Sequence, residues 1–104
     1  MAVNRLEVLK DMVAQNPNDS FARYGLAMEY ANTGSLEQAV QEYESLLGSN
    51  PDYAAAYYHG GQALEKLGRI EEARAIYKRG LEATRRSGDA HTNSEIQAAL
   101  DILG

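Results

Sequence analysis

The feature that most narrows the fold is self-similarity. Moving residues 17–50 along by 34 positions lays them on residues 51–84 with eight identities: Pro17/Pro51, Ala22/Ala56, Tyr24/Tyr58, Gly34/Gly68, Glu37/Glu71, Ala39/Ala73, Tyr43/Tyr77 and Leu47/Leu81. Ordinary residue usage gives roughly two such matches. Leu36/Ile70 and Asn18/Asp52 are conservative besides. A repeated unit buries its apolar face against its neighbours, so a period of this kind points to a stacked array rather than a closed globule.

Each unit reads as two helices. Sixteen alanines and only two prolines in 104 residues favour helix over sandwich or barrel. The first helices are expected at about 19–33 and 53–67, capped by Asn18 and Asp52 after the prolines. Gly34 and Gly68 end them, supplying the left-handed conformation of a C-terminal cap. Ser35-Leu36-Glu37-Gln38 reads as a capping box for the next helix, whereas Arg69 occupies the Ser slot in the second unit and keeps Glu72 three residues on. The second helices are expected at about 36–48 and 70–85.

The flanks continue the pattern. Val3, Leu6, Leu9 and Val13 form one helical stripe over about 2–15, and Leu9 falls where Tyr43 and Tyr77 fall. This segment reads as the second helix of a repeat lacking its first. Ile96, Ala99, Leu100 and Leu103 predict a last amphipathic helix over about 90–103, with Asp89, Thr92 (with Glu95) and Ser94 (with Gln97) as candidate caps. The expected architecture is all-α, about six helices in one domain over 1–104. It comprises an N-terminal helix (2–16), repeat one (18–50), repeat two (51–85) and a C-terminal capping helix (88–104).

Composition excludes several functions. With no cysteine there are no disulfides, zinc–cysteine sites, iron–sulfur clusters or thiol chemistry. A net charge of −5 argues against nucleic acid as partner. Residues 1–52 carry three cations and eight anions while residues 53–104 carry seven of each, so the N-terminal half favours a basic partner surface. No run approaches the length of a membrane span, and the N-terminus lacks the apolar core of a signal peptide and the glycine of a myristoylation site; the expected location is cytoplasmic, and Asn18-Asp19-Ser20 is read as a chance glycosylation match.

A 34-residue helix–turn–helix unit with these residues resembles the tetratricopeptide repeat. The family's small mid-helix residue matches Ala27 and Gly61, and its large residue one turn on matches Tyr30 and Leu64. Its turn glycine matches Gly34 and Gly68, its crossing alanine Ala39 and Ala73, its later aromatic Tyr43 and Tyr77, and its closing proline Pro17 and Pro51. Two positions depart: Arg23 stands where the family usually has Trp or Leu (Tyr57 suits the second unit), and Arg85 replaces the closing proline, which favours a cap over a complete third repeat. The resemblance implies a right-handed solenoid whose first helices line a concave face that binds extended peptides or helices of other proteins. By the same resemblance that face carries Phe21, Tyr24, Met28, Ala31 and Asn32 in the first unit and Ala55, Tyr58, Gln62, Glu65 and Lys66 in the second. The alternative for Phe21, Tyr24 and Met28 is packing under the N-terminal helix or under Tyr58. The Lys and Asn clamp by which one subclass holds a carboxyl-terminal peptide has no match, since Tyr24, Met28, His59 and Gln62 occupy those places.

Other motifs read as structural. Arg74, Lys78, Arg79, Arg85 and Arg86 suit a helix C-terminus and a solvated surface, with Glu71, Glu72 and Glu82 interleaved. His59-Gly60-Gly61 lies inside a helix without the G-x-S-x-G motif an esterase needs. His59 and His91 share no metal-binding spacing, and each is expected in a surface or inter-helix hydrogen bond. The chain is thus expected to be a non-enzymatic module without cofactor or metal that binds another protein. The alternative is a homo-oligomer whose groove or open end is filled by a second copy.

Overall fold

The computed structural model describes residues 4–104, so position Val3 of the N-terminal stripe lies outside the described residues. Six helices follow in order: α1 (Arg5–Gln15), α2 (Ser20–Asn32), α3 (Leu36–Ser49), α4 (Ala54–Lys66), α5 (Ile70–Ser87) and α6 (Ala90–Leu103). No strand occurs among the described residues, and none of the helices is long and apolar enough to cross a membrane. The molecule is an all-α helical solenoid of about 45 × 28 × 19 Å.

Three turns close alike. Gly34, Gly68 and Gly88 have φ of 87°, 78° and 78°, the left-handed region that other residues enter at a cost. In each, the residue after the glycine donates its N–H back to a carbonyl in the preceding helix: Ser35 to Tyr30, Arg69 to Leu64 and Asp89 to Thr84, all at 2.8–2.9 Å. This pattern corrects the expected capping box. Ser35 occupies the N-cap of α3 but makes no side-chain cap bond, and its own N–H, already donated to Tyr30 O in the turn, is not free to donate to the Gln38 side chain. The proline turns also run one residue further than expected, through Asp19 N–H to Asn16 O and Tyr53 N–H to Asn50 O. The caps therefore fall on Asp19, whose carboxylate accepts from Ala22 N–H at 3.0 Å, and on Tyr53, which has no cap bond. Asn18 does not cap, and Asp52 instead pairs with Arg86 at 2.7 Å. At the last helix Asp89 is the cap, accepting from Thr92 N–H.

Each helix packs on its chain neighbours, and close backbone approach beyond these joins only α2 to α4 and α4 to α6. The backbones of α1, α3 and α5 do not approach one another, so the array curves with α2, α4 and α6 on its inner side. Glycines permit the close crossings. A Cβ on Gly61 would lie inside the ring of Tyr77, and one on Gly60 would meet Ile76 at 2.8 Å. Tyr43, Tyr77, Leu46, Ile76 and Ile96 are fully buried along the axis. At the N-terminal end Val13, Ala22 and Leu26 form a second cluster with Leu6 and Leu9. Helix α6 packs on α5 and touches α4 as α4 packs on α3 and touches α2, so it takes the place of a third first helix.

Arg23, the departure from the aromatic slot, performs the work of its counterpart. Its guanidinium donates to Pro17 O at 3.3 Å, as Tyr57 hydroxyl donates to Pro51 O at 2.5 Å, and it pairs with Glu42 at 2.7 Å. The four arginines of the basic run on α5 are engaged in ion pairs: Arg74 with Glu71, Arg79 with Glu44, Arg85 with Glu82 and Arg86 with Asp52. Two pairs, Glu37–Arg69 and Glu44–Arg79, bridge the outer gap that α3 and α5 leave over α4.

Candidate functional site

The inner side carries two hollows that meet at Gln62. One, of about 200 Å³, lies between α2 and α4 and is lined by Met28, Ala31, Asn32, Leu36, Tyr43, His59, Gln62, Ala63 and Lys66. The other, of about 450 Å³, lies between α4 and α6 and is lined by Tyr58, Gln62, Glu65, Glu95, Ala98, Ala99 and Ile102. Together they make a trough across the three first helices.

The floor repeats with the chain. Tyr43 on α3 directs its hydroxyl to Met28 Sδ at 3.0 Å, and Tyr77 on α5 accepts from Gln62 Nε2 at 2.9 Å. Met28 and Gln62 are themselves related by the period. Tyr77 hydroxyl also donates to the Glu65 carboxylate, whereas Tyr43 has only a thioether, a weak acceptor. Burial pushes both phenols well above the ordinary tyrosine range, and for Tyr77 the Glu65 carboxylate pushes further. Both therefore stay neutral donors.

The sequence-derived residues divide. Met28, Ala31, Asn32, Gln62 and Lys66 line the first hollow, and Tyr58, Gln62 and Glu65 the second. Tyr24 is half-buried and packs on Tyr53, His59 and Tyr43 at ring separations of 5.3, 5.9 and 6.3 Å, so it forms the wall behind the trough. Phe21 is 76% exposed at the start of α2, and Ala55 is half-buried at the start of α4; neither lines a hollow.

The structure adds residues that the sequence reading left out. Glu95, Ala98 and Ile102 of α6 face the second hollow at the i, i+3, i+7 spacing that marks the other first helices. His59 departs from its expected hydrogen-bonding role: its ring stands edge-on to Tyr24 and Tyr58. Burial depresses its pKa, with Glu95 opposing and Lys66 adding to the effect. His91 is exposed, 3.7 Å from Glu95. Among the described residues no three His, Asp or Glu side chains are grouped to hold a metal ion.

Comparison with known proteins agrees with the fold. A family model described as tetratricopeptide repeat matches residues 24–90. A TPR repeat-containing protein of Pseudomonas aeruginosa is 26% identical over 98 residues, covering 94% of this chain and 93% of that one. The crystal structure of a tetratricopeptide repeat domain protein from Salinibacter ruber is 35% identical with a TM-score of 0.76, covering 82% of this chain and 94% of that one. PcrH, solved in complex with the chaperone binding region of PopD, has a TM-score of 0.88 at 15% identity over 94% of this chain and 74% of that one; the likeness is one of fold.

Proposed function

The chain belongs to the tetratricopeptide-repeat family, and on that premise we propose that it binds a segment or helix of another protein in the trough formed by α2, α4 and α6. The observation that carries this reading is the pair of adjoining hollows, whose lining mixes apolar surface (Met28, Ala31, Ala98, Ile102) with polar groups able to fix register (Asn32, Gln62, Glu65, Lys66). Tyr58 offers a half-buried ring at the junction with α6. In PcrH the same fold is in complex with a region of another protein. The role is one of binding without cofactor, in the cytoplasm.

The test is affinity capture from the cells that make the protein, comparing the wild type, an Asn32→Arg/Ile102→Asp variant and a Glu71→Ala control. All three substituted positions are exposed, so the fold tolerates them. A protein recovered by the wild type and the control but lost by the groove variant supports the reading. A protein retained by all three places its site elsewhere and refutes it.

A second reading, self-association, is favoured by the N-terminal end. Val8 and Met12 on α1 are 42% and 44% exposed, and Met12 falls one period before the fully buried Leu46. Val8 and Met12 thus offer apolar surface on α1 to a second copy. Direct continuation of the solenoid is opposed by Gln97 and Arg5, which stand by helix position where Gly61 and Ala39 allow close crossing. A copy would therefore have to meet α1 face to face. Light scattering that finds a monomer at high concentration removes this reading.

A further inference from the structure

We propose that the hollow between α4 and α6 seats a lysine or arginine side chain of the partner segment, an inference that rests on the groove reading above. The argument begins with the ion pairs. All seven arginines of the chain are engaged with carboxylates. Among the described residues six side-chain carboxylates have no lysine or arginine partner: Asp19 and Asp89 cap helices, Asp101 accepts from Gln97, Asp11 is exposed on α1, and Glu65 and Glu95 line the same hollow. Glu65 accepts a hydrogen bond from Tyr77 hydroxyl, and Glu95 has only the exposed His91 imidazole at 3.7 Å. Among the described residues no lysine or arginine lies within 4 Å of either.

Two uncompensated carboxylates in a recess of about 450 Å³ concentrate negative potential there. The rest of the lining suits the same guest. The half-buried ring of Tyr58 offers a π face to a cation. Ala98 and the 84% exposed Ile102 offer apolar surface to an aliphatic stem. Lys66 lines the other hollow, so a basic residue is repelled there and steered to the α6 side.

The test is a random peptide library displayed on phage and panned on the full chain, with enriched peptides synthesised and titrated by fluorescence polarisation. The expected result is one position enriched in Lys or Arg. Binding of these peptides falls at least about tenfold with Glu65→Gln/Glu95→Gln and is unchanged with Glu71→Gln. Glutamine still accepts the Tyr77 hydroxyl, and circular dichroism checks that the variant is folded. Panning on Glu65→Lys/Glu95→Lys moves the enrichment to Asp or Glu. Peptides that need Asn32 and Ile102 but carry no basic position, or that ignore Glu65→Gln/Glu95→Gln, overturn this inference and leave the groove reading standing. Peptides that bind regardless of Asn32→Arg/Ile102→Asp, or the absence of any binder, overturn the groove reading and this inference with it.

Discussion

Substituting alanine for glycine at two helical positions, Gly61 and Gly48, is predicted to act in opposite directions. In both helices alanine gains intrinsic propensity, about 1 kcal/mol at an interior site and about 0.5 kcal/mol near an end. At Gly48, close to the end of α3, a new Cβ meets nothing within 4 Å, so the gain is kept. At Gly61 the Cβ would fall inside the Tyr77 ring. That ring cannot yield cheaply: it is fully buried, and its hydroxyl is held by Gln62 and Glu65. Overpacking costs about 1–3 kcal/mol, and displacing the hydroxyl from its partners about another 1–3 kcal/mol. Gly61→Ala is therefore destabilising by about 1–5 kcal/mol net, a fall in Tm of about 4–40 °C for a domain this small. Urea and thermal melts followed by far-ultraviolet circular dichroism measure both variants. Adding Tyr77→Leu to Gly61→Ala removes the clash, so the double variant is more stable than the two single effects sum to. If Gly61→Ala matched or exceeded Gly48→Ala in stability, the account of the α4–α5 crossing would be wrong.

Tyr77→Phe costs about 1–3 kcal/mol while Tyr43→Phe costs under about 0.5 kcal/mol, because only the first hydroxyl has oxygen and nitrogen partners; urea melts separate them. Asp19→Ala loses about 1 kcal/mol and Ser35→Ala far less, since Asp19 caps α2 and Ser35 makes no side-chain cap bond; the same melts decide. Stability also falls as pH drops below 6.5: the folded pKa of His59 is depressed by burial, so the unfolded chain binds the proton first. That contribution is fully present above 6.5 and is lost as pH falls through the lower folded value. His59→Phe, which keeps an aromatic ring between Tyr24 and Tyr58, flattens this part of the profile in urea titrations run between pH 7.5 and about 5. Asp89 and Glu72, whose pKa values are lowered by the Thr92 and Arg69 hydrogen bonds, act only at more acid pH.

What the sequence made legible was what local chemistry dictates. Gly34 and Gly68 announced the turns because few other residues tolerate their positive φ, and the apolar spacing announced the helices. The caps were misplaced because turn geometry outweighed residue preference: the Ser35 N–H is claimed by Tyr30, and each proline turn extends to residue 19 or 53. The inner residues of α6 were missed for a different reason. Helix α5 runs to Ser87, so α6 begins two residues later than the period places it, and its Glu95, Ala98 and Ile102 do not align with the other first helices. The i, i+3, i+7 spacing alone would have found them. Phe21 and Ala55 were assigned by repeat position, yet both sit at helix starts that precede the hollows. Arg23 looked like a defect because a guanidinium can replace a phenol only where a carbonyl and a carboxylate are both in reach, which only the folded chain reveals.

The claim on which the account rests is that partners enter the trough of α2, α4 and α6. Its most direct test is a backbone amide chemical-shift map of the labelled chain with and without the captured partner's binding segment. The account predicts changes centred on Met28, Asn32, His59, Gln62, Lys66, Ala98 and Ile102. Changes centred instead on Glu44, Arg69 and Arg79 of the outer side, or on Val8 and Met12 of α1, would contradict it.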